Sequence, residues 1–269
     1  MKRRLSILLI GVLTSVDAYS YELATHARLT ETAYTKSVLG DTQFLKAYGI
    51  DATDPEPFGI VYYDVSGAEV KERQRDAFER KFMPDSTLPL SVQGWLLRGA
   101  IREDDWTGID VPGCQLHAEN PQDDKLNRPG NHFYDPIYDR PLTVAFGLGE
   151  KAPNWGLGTL NFPANPPPPD AARRNHCTVL DAREAMYRAL TGKRNGNTDV
   201  ATTKDERNKY WATTFRALGD VVHLVEDMGQ PQHTRNDAHS GVRGFGHACI
   251  YSTAHRAPVA NDYHLRSLT

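Results

Sequence analysis

Apolar residues recur at three- and four-residue spacing in four stretches of the chain, the period of helices with one buried face. Thr25 can cap the first, which runs through Leu29, Ala33 and Val38 to Gly40. A second starts near Ser91, carries Val92, Trp95, Leu96, Gly99 and Ala100, and runs into Glu103-Asp104-Asp105. A third begins near Ala171 and continues through Val179, Leu180, Met186, Ala189 and Leu190, with Gly192 as its stop. The fourth, about Lys209 to Gly229, is the clearest. Strand-like alternation is scarce, and Ile60 to Val65 is the fair candidate. Long turn-rich loops, Gly108–Pro136 and Pro141–Asp170, separate the helices, and the proline run 166–169 holds the second loop extended. The pattern predicts an all-α fold, a single multi-helix domain with long Pro/Gly-rich loops.

The fourth helix carries the chemistry. Trp211, Phe215, Leu218, Val222 and Val225 form one apolar seam, which Val221, Leu224 and Met228 widen over most of the circumference. The remaining sector holds Arg216, Gly219, Asp220, His223, Glu226 and Asp227. A helix this apolar is normally buried, and a buried polar stripe needs partners. His223 and Asp227 stand four residues apart, so both can reach one ion. Pro231 then interrupts the helix and lets His233 approach from another direction. Neutral imidazoles with a carboxylate suit zinc better than calcium or magnesium. The alternative is a solvent-facing stripe with a histidine at the helix end.

Composition changes this picture in two places. At 39% hydrophobic and a net charge of −3, the 269-residue chain can bury a sizeable core, and extensive disorder is excluded. Residues 1–20 read as a secretory signal peptide: a basic start at Lys2-Arg3-Arg4, an apolar run from Leu5 to Leu13, and small residues Ala18 and Ser20 before the cut. Export predicts a secreted or periplasmic protein and permits disulfides, with Cys114–Cys177 ahead of pairs using Cys249. Cleavage would remove three basic residues and Asp17, leaving the chain more acidic. Such a field does not attract a polyanion unless bound cations reverse it locally.

The ten histidines are the compositional oddity. His132 lies in Asn-His-Phe-Tyr-Asp-Pro, His247 in Gly-Phe-Gly-His-Ala, and His26 five residues after the expected mature start at Tyr21. With His223-x3-Asp227-x5-His233, these landmarks resemble the zinc-dependent phospholipase C and single-strand-specific nuclease superfamily, secreted all-α proteins with three zinc ions. The resemblance implies that Asp104, His132, His223 and Asp227 surround a pair of ions, with Asp227 bridging toward the one held by Tyr21 and His26. His233 and His247 would hold the third. An acidic residue after Gly99-Ala100 matches Asp104, with Glu103 and Asp105 as rivals, and Asp104 would also orient the attacking water or act as base.

Four residues beyond His247, where that family has an acidic ligand, this chain has Tyr251. Residues 248–269 also lose the helical pattern and read as an atypical tail, truncated or frameshifted, or as a variant completed by water or Asp262. The resemblance implies a monomeric phosphodiester hydrolase that uses metal-activated hydroxide against phosphorus, phospholipase C-like. Its alternatives are a single-strand nuclease of the same fold and a metal-binding secreted protein without turnover. Tyr62, Tyr63 and Trp155 are candidates for a lipid-seeking or base-stacking surface, set against the commoner reading of core packing.

Overall fold

The computed structural model describes residues 23–51, 58–64, 67–72, 90–104, 128–142, 150–158, 175–194 and 198–235. The elements, in chain order, are α1 (Leu23–Lys36), a 3-10 turn (Val38–Gly40), α2 (Thr42–Ala47), β1 (Val61–Tyr63), β2 (Glu69–Lys71) and α3 (Val92–Arg102). There follow a 3-10 turn (Arg128–Asn131), α4 (Ala152–Leu157), α5 (Val179–Thr191), β3 (Lys193–Arg194), β4 (Thr198–Asp199), α6 (Lys204–Asp227) and α7 (Pro231–Thr234). The described residues are mostly helical, with two small antiparallel sheets, β1 on β2 and β3 on β4. Among them no helix is long and apolar enough to cross a membrane.

Capping chemistry sets the helix ends. Ser91 opens α3 as expected, its hydroxyl accepting from the Gly94 amide at 3.1 Å. The third helix begins at Val179 rather than near Ala171, because Thr178 and Asp181 form a reciprocal capping box. The fourth begins at Lys204, five residues before Lys209, where Thr203 and Glu206 form a second box. Gly192 ends α5 in the left-handed conformation at φ 72°, as its place in the sequence predicts. The first helix yields to the 3-10 turn at Ser37, whose hydroxyl caps Leu39.

α6 is the spine, with α3 and α5 packed along it and α1 lying across α3 and α6. After a charged first turn and a half of α6, Tyr210, Trp211, Ala212 and Phe215 join Tyr62, Trp95, Leu96 and Ala189 in the main core. β1 docks beside them, with Thr213 Oγ1 accepting from the Tyr63 amide at 3.1 Å and donating to its carbonyl at 2.6 Å. Past Leu218, which still packs against the core, the predicted apolar seam turns outward, and Val225 is 67% exposed. The polar stripe takes its place: Arg216, Asp220, His223 and Asp227 are all buried. Glu72, after β2, meets three arginines there, Arg98 at 3.1 Å, Arg102 at 3.6 Å and Arg216 at 3.8 Å.

Two glycines allow this face to close. A Cβ on Gly219 would lie 2.2 Å from the Leu96 carbonyl oxygen and 2.7 Å from Gly99 Cα, and one on Gly99 would lie 2.2 Å from the Arg216 carbonyl oxygen. Glycine inside a helix costs about 1 kcal/mol relative to alanine, so both positions are there for the contact. Gly219→Ala is expected to destabilise by about 1–3 kcal/mol or more through overpacking, despite its better helix propensity. Urea denaturation measures this, and a neutral or stabilised variant would contradict the crossing.

The Glu72 cluster makes a pH prediction. Burial alone would raise its carboxyl, but Arg98, Arg102 and Arg216 outweigh that and bring it down to about 2. A folded-state value below the unfolded one stabilises above about pH 4.5, and the stabilisation disappears as pH falls toward 2. Glu72→Gln is therefore expected to cost about 3–5 kcal/mol at pH 7. The gap from wild type should narrow below pH 4 in melts run at each pH.

Candidate metal centre

The C-terminal half of α6 presents His223 and Asp227 on one face, and three other segments bring groups to them. α1 supplies His26, the end of α3 supplies Asp104, and the segment after the 128–131 turn supplies His132. α7, started by Pro231 where α6 has ended, brings His233 back to the cluster. His26, His132, His223, Asp227 and His233 are at most 3% exposed. Asp104 alone of these six is open to solvent, at 31% of its side chain.

Two trios place one ligand atom each within 4.8 Å of one another: His26, His223 and Asp227, and Asp104, His132 and His223. Buried His/Asp groups of this kind can hold a metal ion. His132 Nδ1 lies 2.8 Å from Asp227 Oδ2, and His26 Nε2 lies 3.4 Å from Asp227 Oδ1. Asp104 Oδ1 is 3.7 Å from both His132 Nδ1 and His223 Nε2. His233 Nδ1 is 3.6 Å from Asp227 Oδ2.

The backbone partner of His223 decides which of its ring nitrogens carries hydrogen. Its Nδ1 stands 2.6 Å from the Ala100 carbonyl oxygen, which can only accept, so Nδ1 carries hydrogen. In the neutral ring Nε2 is then a lone pair, and it faces Asp227 Oδ2 at 3.2 Å. Both atoms are buried and make no aligned hydrogen bond, while Asp227 Oδ1 accepts from Gln230 Nε2 at 3.3 Å. Two acceptors held face to face need a positive charge between them. His233 also donates from Nδ1, to the His132 carbonyl at 3.0 Å, with the Phe133 ring stacked on it at 4.5 Å, and that same Nδ1 is its atom nearest Asp227. In His223, an N–H tied to a carbonyl and a second nitrogen facing the carboxylate is the usual support of a metal-binding histidine.

The electrostatics agree. Burial opposes charge on His26, but Asp227, Glu226 and Asp104 outweigh it and push its pKa up to about 9. His132, fully enclosed, is likewise carried up to about 10 by Asp227, Glu103 and Asp104. Burial would raise Asp227, yet His223, His132 and His26 hold it well below the usual carboxylate range. The carboxylates attract cations strongly enough to protonate the rings, and a divalent ion competes for the same places.

Of the acidic candidates, Asp104 faces both His132 and His223, whereas Glu103 stands 3.5 Å from His132 Nε2 and is also tied to two other partners. Glu103 pairs with Arg128 through Oε2 and accepts from Trp155 Nε1 at 2.6 Å through Oε1. The Arg128 charge, with that of His132, overcomes burial and keeps its carboxyl ionised. Arg128 also meets Asp220 at 3.0 Å, and Asp220 pairs with Arg216, so the stripe is charge-compensated. Tyr21, Asp105, Cys114, His247, Cys249 and the tail 248–269 lie outside the described residues. Tyr62, Tyr63 and Trp155 are core residues, at 4%, 9% and 1% exposure, so none is a surface platform. Sequence reasoning gave no part to Arg128 or Thr30 and placed Glu226 only in the polar sector of the fourth helix; Thr30 follows His26 by four residues, a helical spacing that signals it.

Compared with family profiles, with curated proteins and with solved structures, the chain matches none.

Arg128→Met keeps the volume of this site but leaves Glu103 and Asp220 short of their shared buried cation. A loss of about 3–5 kcal/mol in urea denaturation is expected. A loss under about 1 kcal/mol would contradict a desolvated network.

Proposed function

We propose that the chain is a zinc-dependent hydrolase of phosphodiester bonds, of the phospholipase C and single-strand nuclease type. The observation that carries this reading is the acceptor pair His223 Nε2 and Asp227 Oδ2, buried 3.2 Å apart with no aligned hydrogen bond to either. The donor set around it, imidazole nitrogens with carboxylate oxygens, suits zinc better than calcium or magnesium. His26, His223 and Asp227 would hold one ion, Asp104 and His132 a second, and His233 a third. Tyr21 and His247 are proposed to complete the first and third.

Zinc, when bound, lowers the pKa of water from about 16 to about 7 and offsets charge on phosphate oxygens. Asp104 is the half-open acid beside the buried rings, so its carboxylate can accept a proton from water at Oδ1 and orient it. The buried histidines and Asp227 exclude bulk water from the other side. A phospholipid substrate is favoured over nucleic acid. The turn at 135–140, just after His132, carries Ile137 and Tyr138 at 83% and 70% exposure, apolar groups that seek an interface. Residues 1–20, read as a leader, would place the enzyme outside the cytoplasm.

Zinc content and turnover of a phosphatidylcholine analogue and of single-stranded DNA are measured together for wild type and His223→Ala. Chelator-sensitive lipid turnover is expected, with a loss of more than about 100-fold in the variant. Turnover of DNA alone would move the reading to a nuclease. Zinc binding without turnover would leave a metal-binding protein, and equal rates in both proteins would overturn metal catalysis.

A further inference from the structure

Glu226 lies beside Asp227 but has no place in either trio. We propose that it is a positioning residue for the metal centre, holding His26 by Nδ1 so that Nε2 is presented to an ion; the inference rests on the metal reading above. Glu226 and Asp227 are neighbours near the end of α6, and between them they meet His26 at both ring nitrogens. Glu226 Oε2 stands 2.7 Å from Nδ1, and Asp227 Oδ1 stands 3.4 Å from Nε2. The second oxygen of Glu226 is also engaged, accepting from Thr30 Oγ1 at 2.9 Å. Thr30 and His26 are four apart on α1, so one helix face occupies both oxygens and the carboxylate cannot swing.

The consequences reach past His26 itself. An ionised carboxylate can only accept, so it fixes hydrogen on Nδ1, and an ion that displaces the second proton of the ring then meets the lone pair on Nε2, the nitrogen facing Asp227 Oδ1. The His26 ring stacks on His223 with centroids 3.8 Å apart and planes 19° apart. Holding the plane of His26 therefore also restrains a second member of the trio. His223 takes the corresponding support from the backbone carbonyl of Ala100. His26 takes it from a charged side chain, which also raises the donor strength of its ring. Glu226 side-chain exposure is 10%, so water screens this pair little.

Zinc is titrated into the metal-free full chain against a chromophoric chelator, for wild type, Glu226→Gln and Glu226→Ala, with circular dichroism as the check on folding. Glutamine keeps the shape and can accept from His26 while donating to Thr30; it loses only the charge. Affinity for one ion is expected to fall roughly 10-fold in Glu226→Gln and roughly 100-fold in Glu226→Ala. Nitrogen-15 spectra of the zinc-loaded proteins read the tautomer directly. Wild type should show His26 protonated at Nδ1, and Glu226→Ala a mixture, a change that mere loosening of the fold would not produce. Variants with wild-type affinity and an unchanged His26 tautomer overturn the inference while wild-type zinc binding stands. If Glu226→Ala does not fold, wild-type affinity in Glu226→Gln overturns it. A wild type that takes up no zinc overturns the metal reading, and the inference with it.

Discussion

α3 and α6 cross glycine against glycine, and the dimensions of the candidate centre follow from that contact. With no Cβ on Gly99 or Gly219, backbone meets backbone, and the groups one turn further along are brought into register. Ala100, next to Gly99, offers its carbonyl to His223, four residues beyond Gly219. Glu103 and Asp104, at the end of α3, then arrive beside Arg128, His132 and His223. A side chain at either glycine would separate the helices by more than the tolerance of these hydrogen bonds, which weaken over tenths of an ångström.

The same helix serves two environments. The first half of α6 buries aromatic and aliphatic surface, which supplies the stabilisation that a packed core provides. The second half buries Arg216, Asp220, His223 and Asp227, groups that are costly to desolvate and must be compensated locally. Arginines compensate the Glu72, Glu103 and Asp220 carboxylates. Around Asp227 the neighbours are imidazoles instead, and these can exchange a proton for a metal ion. The stable core thus carries a region whose arrangement makes electrostatic sense with a cation in place.

Much of the helical framework was legible. The apolar spacing around Trp95 and Trp211, the Ser91 cap and the Gly192 stop all report local preferences that the fold respects. The starts of α5 and α6 were misplaced because the boxes at Thr178/Asp181 and Thr203/Glu206 outweigh general periodicity. The His223/Asp227 pair was legible from its spacing, as was the approach of His233 after Pro231. The choice among Glu103, Asp104 and Asp105 was not, since adjacent residues differ by about 100° around a helix end and small shifts decide which faces inward. Val225 shows the limit of amphipathic reasoning: it belongs to the apolar seam by angle and is exposed by packing.

The amino-acid sequence by itself determined the main helices, the Ser91 start and the Gly192 stop, and a stripe of histidine and carboxylate at helical spacing, because these depend on residues within a few positions of one another; the first helix already includes Leu23, so Thr25 is not its cap. Tertiary structure decided which stripe is buried and which partners meet it. His26 and Glu226 are 200 residues apart, and His223 and Ala100 are 123 apart. No local rule encodes such pairings; the second exists because two glycines let α3 and α6 touch, the first because α1 packs on α6 and buried charges must find compensation in whatever the packing brings near.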